Sequence, residues 1–131
     1  MSRAELKYCA TCGREIEWRR KWARNWGSVR YCSDACRRKR RTGQDERLES
    51  LILELLARRA AGATICPSEA ARRLAGESGI EDWRKLLEPT RRAARRLHNE
   101  GRLEFLQRGR TVNPSRARGP VRLRLAGGTR P

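Results

Sequence analysis

Four of the five cysteines fall between positions 9 and 36. They read Cys9-x-x-Cys12-Gly13, then eighteen residues, then Cys32-Ser33-Asp34-Ala35-Cys36. Two close pairs separated by a hairpin-length insert are the spacing of a closed, tetrahedral zinc site with Cys9, Cys12, Cys32 and Cys36 as ligands. Zinc takes soft thiolates, and two short loops can each deliver a pair of sulfurs to one ion. An all-cysteine shell leaves no open coordination position, so the expected Zn2+ is single and structural. Zinc-spaced cysteines with one spare, Cys66, point to a reducing cytoplasm.

The local signals around the cysteines predict a treble-clef-like finger over residues 1–42. Gly13 can take the left-handed turn of a knuckle. Glu15–Trp18 and Ser28–Tyr31 read as strands of a hairpin, with a basic turn from Arg19 to Gly27. Ser33 is a candidate N-cap for a helix reaching about residue 41, which places Cys36 in its first turn. Trp18, Trp22 and Trp26 recur every four residues between basic ones. Bases could stack on them, but so small a unit needs apolar mass, and core is the preferred reading.

A charge run, Arg37-Arg38-Lys39-Arg40-Arg41, and a linker at Gly43 set the boundary, leaving 43–131 as a second domain. Asp45 is the expected cap of a helix over about 46–60, with Leu48, Leu51, Ile52, Leu55 and Leu56 at helical spacing. Pro67 suits the first position of a second helix, Ser68 to about Ala75. A third runs from Glu81 to about Glu100 and is interrupted at Pro89, where a kink or two abutting helices are expected. The period then changes to two in Arg102–Gln107 and Val121–Leu125, separated by a Gly- and Pro-rich loop over 108–120. Three helices followed by a β-hairpin wing is the order of an α+β winged-helix domain. Residues 126–131 read as frayed.

Charge narrows the function. Lysine and arginine number 32 against 15 acids, a formal +17, which four thiolates and one dication lower to +15. Such a chain expects an anionic partner, with nucleic acid first. On a helical wheel the third helix places Leu86, Thr90, Ala93, Ala94 and Leu97 on one face, and Arg84, Arg91, Arg92, Arg95 and Arg96 on the other. In a winged helix that second face enters the major groove. Arg91, Arg92, Arg95 and Arg96 are therefore the candidate groove contacts. Arg108, Arg110, Arg116 and Arg118 would hold phosphates from the wing, and Arg37, Arg38, Lys39, Arg40 and Arg41 would clamp the backbone.

No P-loop, GxSxG or HExxH is present. His98, the only histidine, borders the core face without a carboxylate at ligand spacing and reads as structural, as does Cys66. Catalytic residues, an organic cofactor and a small-molecule substrate are not expected. Neither is a membrane span or signal peptide.

The chain also resembles two bacterial families. Lys7-x-Cys9-x-x-Cys12-Gly13-Arg14, Trp18-Arg19-Arg20-Lys21-Trp22 and Tyr31-Cys32-Ser33-x-x-Cys36-Arg37 resemble the zinc-finger family known as domain of unknown function 2256. Ala63-Thr64-Ile65-Cys66-Pro67-Ser68-Glu69, Trp83-Arg84, Glu88-Pro89, Gln107-Arg108-Gly109 and Arg118-Gly119-Pro120-Val121-Arg122-Leu123 resemble domain of unknown function 3253. The resemblance implies a bacterial origin, the four metal ligands and a fused finger–winged-helix architecture. It implies no activity. The residues thus favour a non-enzymatic, bacterial nucleic-acid-binding protein of the cytoplasm or nucleoid, on DNA rather than RNA because a helix suits the B-form major groove. The alternatives are an adaptor for an acidic protein partner and an RNA- or ribosome-associated protein.

Overall fold

A computed structural model describes residues 6–127. The first five residues assigned to the finger, and the part of the tail beyond 127 expected to fray, lie outside them. The finger holds little regular structure. Its knuckle closes where the Gly13 amide donates to the Cys9 carbonyl (2.9 Å) and the Cys9 amide to the Arg14 carbonyl (2.8 Å). Gly13 sits at φ 77°, a conformation that glycine adopts freely. The expected hairpin does not form. The span holds one isolated bridge, Tyr8 to Glu15, and two 3-10 turns, Arg20–Trp22 and Trp26–Ser28. The return is joined by the Ala10 amide, which donates to the Arg30 carbonyl at 2.9 Å, and by Lys7 Nζ, which donates to the Gly27 carbonyl at 3.1 Å. With sulfurs gathering both ends and Trp22 and Trp26 packed on the cysteine cluster, the insert needs no strand ladder.

Ser33 caps helix α1 (Asp34–Lys39) by accepting from the Cys36 amide. The helix stops short of 41 because Arg40 turns to φ 22°. Helix α2 (Gly43–Ala57) begins earlier than expected: Thr42 is its cap, and Asp45 reaches back to the Thr42 amide as the other half of a capping box. Gly43 is thus the first helical residue and not a linker. After strand β1 (Thr64–Ile65), helix α3 (Pro67–Ser78) starts at its proline and runs through Gly76 to Gly79, which ends it at φ 69°. A 3-10 turn, Trp83–Leu86, abuts helix α4 (Leu87–Asn99). Pro89 lies in the first turn of α4, where an amide has no intrahelical partner, so it costs no hydrogen bond.

Strands β2 (Leu103–Gln107), β3 (Arg110–Val112) and β4 (Arg122–Leu125) complete an antiparallel sheet of order β1-β4-β2-β3. Strand β3 lies in the stretch expected to be loop. A two-residue turn joins it to β2, with Arg108 at φ 51° and Gly109 at φ 79°; both positive φ values mark the type I′ hairpin whose twist matches paired strands. The Ala126 amide bonds the Arg102 carbonyl at 3.1 Å, so pairing continues past the expected start of fraying. The core lies between α2, α3, α4 and the inner sheet face. Leu48, Leu51, Ile52, Ala70, Leu74, Ala93, Ala94 and Leu97 meet Ile65, Leu103, Phe105 and Leu123 there. At about 25 cal/mol per Å2 of apolar area, burial of such side chains is the main stabilising term.

Candidate metal centre and basic surfaces

The Sγ atoms of Cys9, Cys12, Cys32 and Cys36 all lie within 4.8 Å of one another. Cys12 and Cys32 are 3.8 Å apart, and Cys32 and Cys36 are 3.6 Å apart. Four thiolates about 2.3 Å from a tetrahedral zinc would be roughly 3.8 Å apart, so the donor set fits such an ion. The knuckle supplies the first pair; Cys32, just before the Ser33 cap, and Cys36, in the first turn of α1, supply the second. A hydrogen bond from Cys12 draws the Cys9 thiol down to about 4. The same bond and burial push Cys12 up, and burial foremost pushes Cys32 up. A cluster in which one thiolate forms readily and its neighbours resist is one that a dication would complete. Such an ion would supply a fixed crosslink between two loops.

The knuckle does not face solvent. Its three consecutive carbonyls point at α4. Arg96 Nη1 donates to the Thr11 carbonyl at 2.7 Å, Arg95 Nε to Cys12 at 2.6 Å, and Asn99 Nδ2 to Gly13 at 3.0 Å. Arg95 is 1% exposed and Arg96 8%. Arg95 also donates to Glu88 (2.8 Å), and Arg96 to Glu49 (2.7 Å). Burial pulls the Arg95 guanidinium below its ordinary value, against the pull of Glu88. The expectation that Arg95 and Arg96 reach into a groove is therefore corrected: both are spent on holding the finger. Glu49 also accepts two bonds from Arg41, at 2.9 and 3.0 Å, which takes Arg41 out of the free basic run. Glu49 was missed in the sequence. The signal was an acid at helical spacing from Ile52 and Leu56, on the buried stripe.

The remaining candidates separate. Arg91 donates to the Gly119 carbonyl at 2.9 Å and tethers the wing loop. Arg92 pairs with Glu88 at 3.3 Å. Arg37, Arg38, Lys39 and Arg40 are exposed, and none forms an ion pair among the described residues. Arg108, Arg110 and Arg118 are exposed on the wing and likewise unpaired. Arg116 lies beside the finger, where Ser115 Oγ accepts from the Glu15 amide at 2.8 Å. Trp22 and Trp26 are half-buried with ring centroids 5.9 Å apart. Trp18 is 47% exposed, so it is not core. His98 packs edge-on against Phe105 at 6.2 Å. Cys66 caps α3.

Family models now locate both halves. Residues 2–39 match the family described as uncharacterized protein conserved in bacteria (DUF2256). Residues 45–126, more than half of the chain, match protein of unknown function (DUF3253). The chain belongs to the DUF3253 family. Its DUF3253 portion holds the whole helix-and-sheet core, and the DUF2256-matching portion holds all four clustered cysteines. No curated protein matches this DUF3253 member. Among the described residues no helix is long and apolar enough to cross a membrane.

Proposed function

We propose that this is a non-enzymatic nucleic-acid-binding protein in which a zinc-stapled, treble-clef-like finger is docked on a winged-helix domain. The observation that carries this reading is the partition of its arginines. Those of α2 and α4 are largely paired with Glu49, Glu54, Glu77 and Glu88. Among the described residues, those of α1 and of the wing are exposed and form no ion pair. Exposed guanidiniums without an ion pair on α1 and the wing, with more on the finger insert at Arg19, Arg20 and Arg24, are the footprint expected for phosphate contacts. Three helices and a sheet of order β1-β4-β2-β3 support the winged-helix name. The four-sulfur geometry supports zinc as the ion.

Contact would run through the wing and through Arg37–Arg40, with α4 in a lesser role. The finger covers half of the α4 face that a major groove would receive, so the argument for duplex DNA over RNA loses its basis. A filter-binding titration across salt concentrations tests the reading. A steep fall of log K with log salt, with a slope of about −0.7 to −0.9 per phosphate contact, is the expected result. Affinity indifferent to salt would remove the proposal.

A further inference from the structure

A cleft of about 1220 Å3 lies along the wing. Its walls carry Arg108, Arg110, Arg118 and Arg122, and among the described residues no carboxylate lines it. Leu106 lines it too, buried at 3% exposure between its register partners Arg122 and Thr111.

The walls are held in place. Gln107 Nε2 donates to the Arg118 carbonyl (2.6 Å) and the Pro120 carbonyl (3.2 Å), while Arg91 holds Gly119 between them. Arg122 is fixed by Thr64 Oγ1 at 3.0 Å. Arg108 occupies a positive-φ turn position at 51°, where Asn or Gly is the usual occupant. An arginine kept there at a conformational cost points to a use for its side chain.

We propose that this cleft holds a short unpaired stretch of a nucleic-acid strand, its phosphates on the arginines. The inference rests on the nucleic-acid reading above and names its substrate class. Charge sets the chemistry: guanidinium forks with no competing acid select phosphate esters. Shape sets the strandedness. A concave cleft of this size admits a few nucleotides, whereas a duplex would touch only its rim.

The test uses the full, zinc-loaded chain and fluorescence anisotropy. The probes are a labelled oligothymidylate of about eight nucleotides, within the site size of common single-strand binders, and a hairpin duplex of matched length. The variants are the double substitution Arg110→Gln with Arg118→Gln, and Arg38→Gln in the finger. These side chains are exposed and unpaired, and an unchanged circular dichroism spectrum verifies folding. The expected result is tighter binding of the single strand than of the duplex. The double variant should lose about tenfold or more on the strand, and its salt slope should shrink by about 1.4, from roughly 0.7 per lost contact. If the double variant binds the strand like the parent while Arg38→Gln weakens both probes, the nucleic-acid reading stands and the cleft assignment falls. Thymidine monophosphate competing as well as the oligomer per phosphate also overturns the strand assignment. If the parent binds neither probe at low salt, the underlying reading falls with it.

Discussion

Replacing Gly13 with alanine tests whether the finger is docked on α4 as described. An alanine Cβ at this position would lie 2.5 Å from Arg95 Cβ and 3.0 Å from the Arg96 amide nitrogen. Neither neighbour is the free end of a flexible chain, so backbone must move. The residue also sits at φ 77°, which costs a non-glycine residue about 1–2 kcal/mol. Forcing a methyl into a packed contact adds about 1–3 kcal/mol. Gly62 supplies the control: its φ is 83°, and a Cβ there would meet nothing within 4 Å. Gly62→Ala should therefore lose only the conformational term, about 1–2 kcal/mol. Gly13→Ala should lose about 2–5 kcal/mol, the sum of the two. In thermal unfolding followed at 222 nm, the difference between the variants should be about 3–10 °C for a chain of this size. Equal losses in the two variants would mean that no close approach exists at position 13, and that the finger is not seated on α4.

Three further outcomes are expected. Glu49→Gln leaves Arg96 buried beside a neutral amide and should cost about 3–5 kcal/mol in urea unfolding; Glu54→Gln, which breaks an exposed pair with Arg47, should stay within about 1 kcal/mol. Chelation should raise hydrogen exchange at Ala94–Asn99 as well as in the finger, because the knuckle carbonyls that cover Arg95 and Arg96 are set by the cluster; exchange confined to residues 6–42 would show the two parts to be uncoupled. Glu88 is held below its ordinary value of 4.5 because Arg95 and Arg92 outweigh the burial that opposes them. A depressed carboxylate binds its proton less readily folded than unfolded, so its stabilisation is full above about pH 4.5 and is lost as pH falls through the folded value. The melting-temperature advantage of the parent over Glu88→Gln should accordingly shrink in that acid window.

The cysteine spacing made the cluster legible, because only four residues had to be read and the rule relating them is short. The apolar faces of α2 and α4 were legible for the same reason: leucines and alanines at helical spacing have one common use. Arginine has two. On a wheel, Arg95 and Arg96 look the same as Arg91 and Arg92. What separates them is a set of carbonyls more than eighty residues away in sequence, which no local pattern records. Strand β3 was hidden by the glycine and prolines around it, although Arg108-Gly109 makes a tight turn possible in its own right. The helix start moved for a readable cause, since Thr42-x-x-Asp45 is a capping pattern in which the first residue, not the last, is the cap.

The long reach of the knuckle contacts also bears on the order of assembly. The Thr11, Cys12 and Gly13 carbonyls meet partners 85, 83 and 86 residues further along the chain. During synthesis the finger emerges well before any part of α4, and closing so long a loop is entropically costly until both ends are already shaped. A finger that gathered a metal ion first would turn three carbonyls outward before their partners exist. Docking would then be the late step, with the α4 side chains meeting carbonyls already in line.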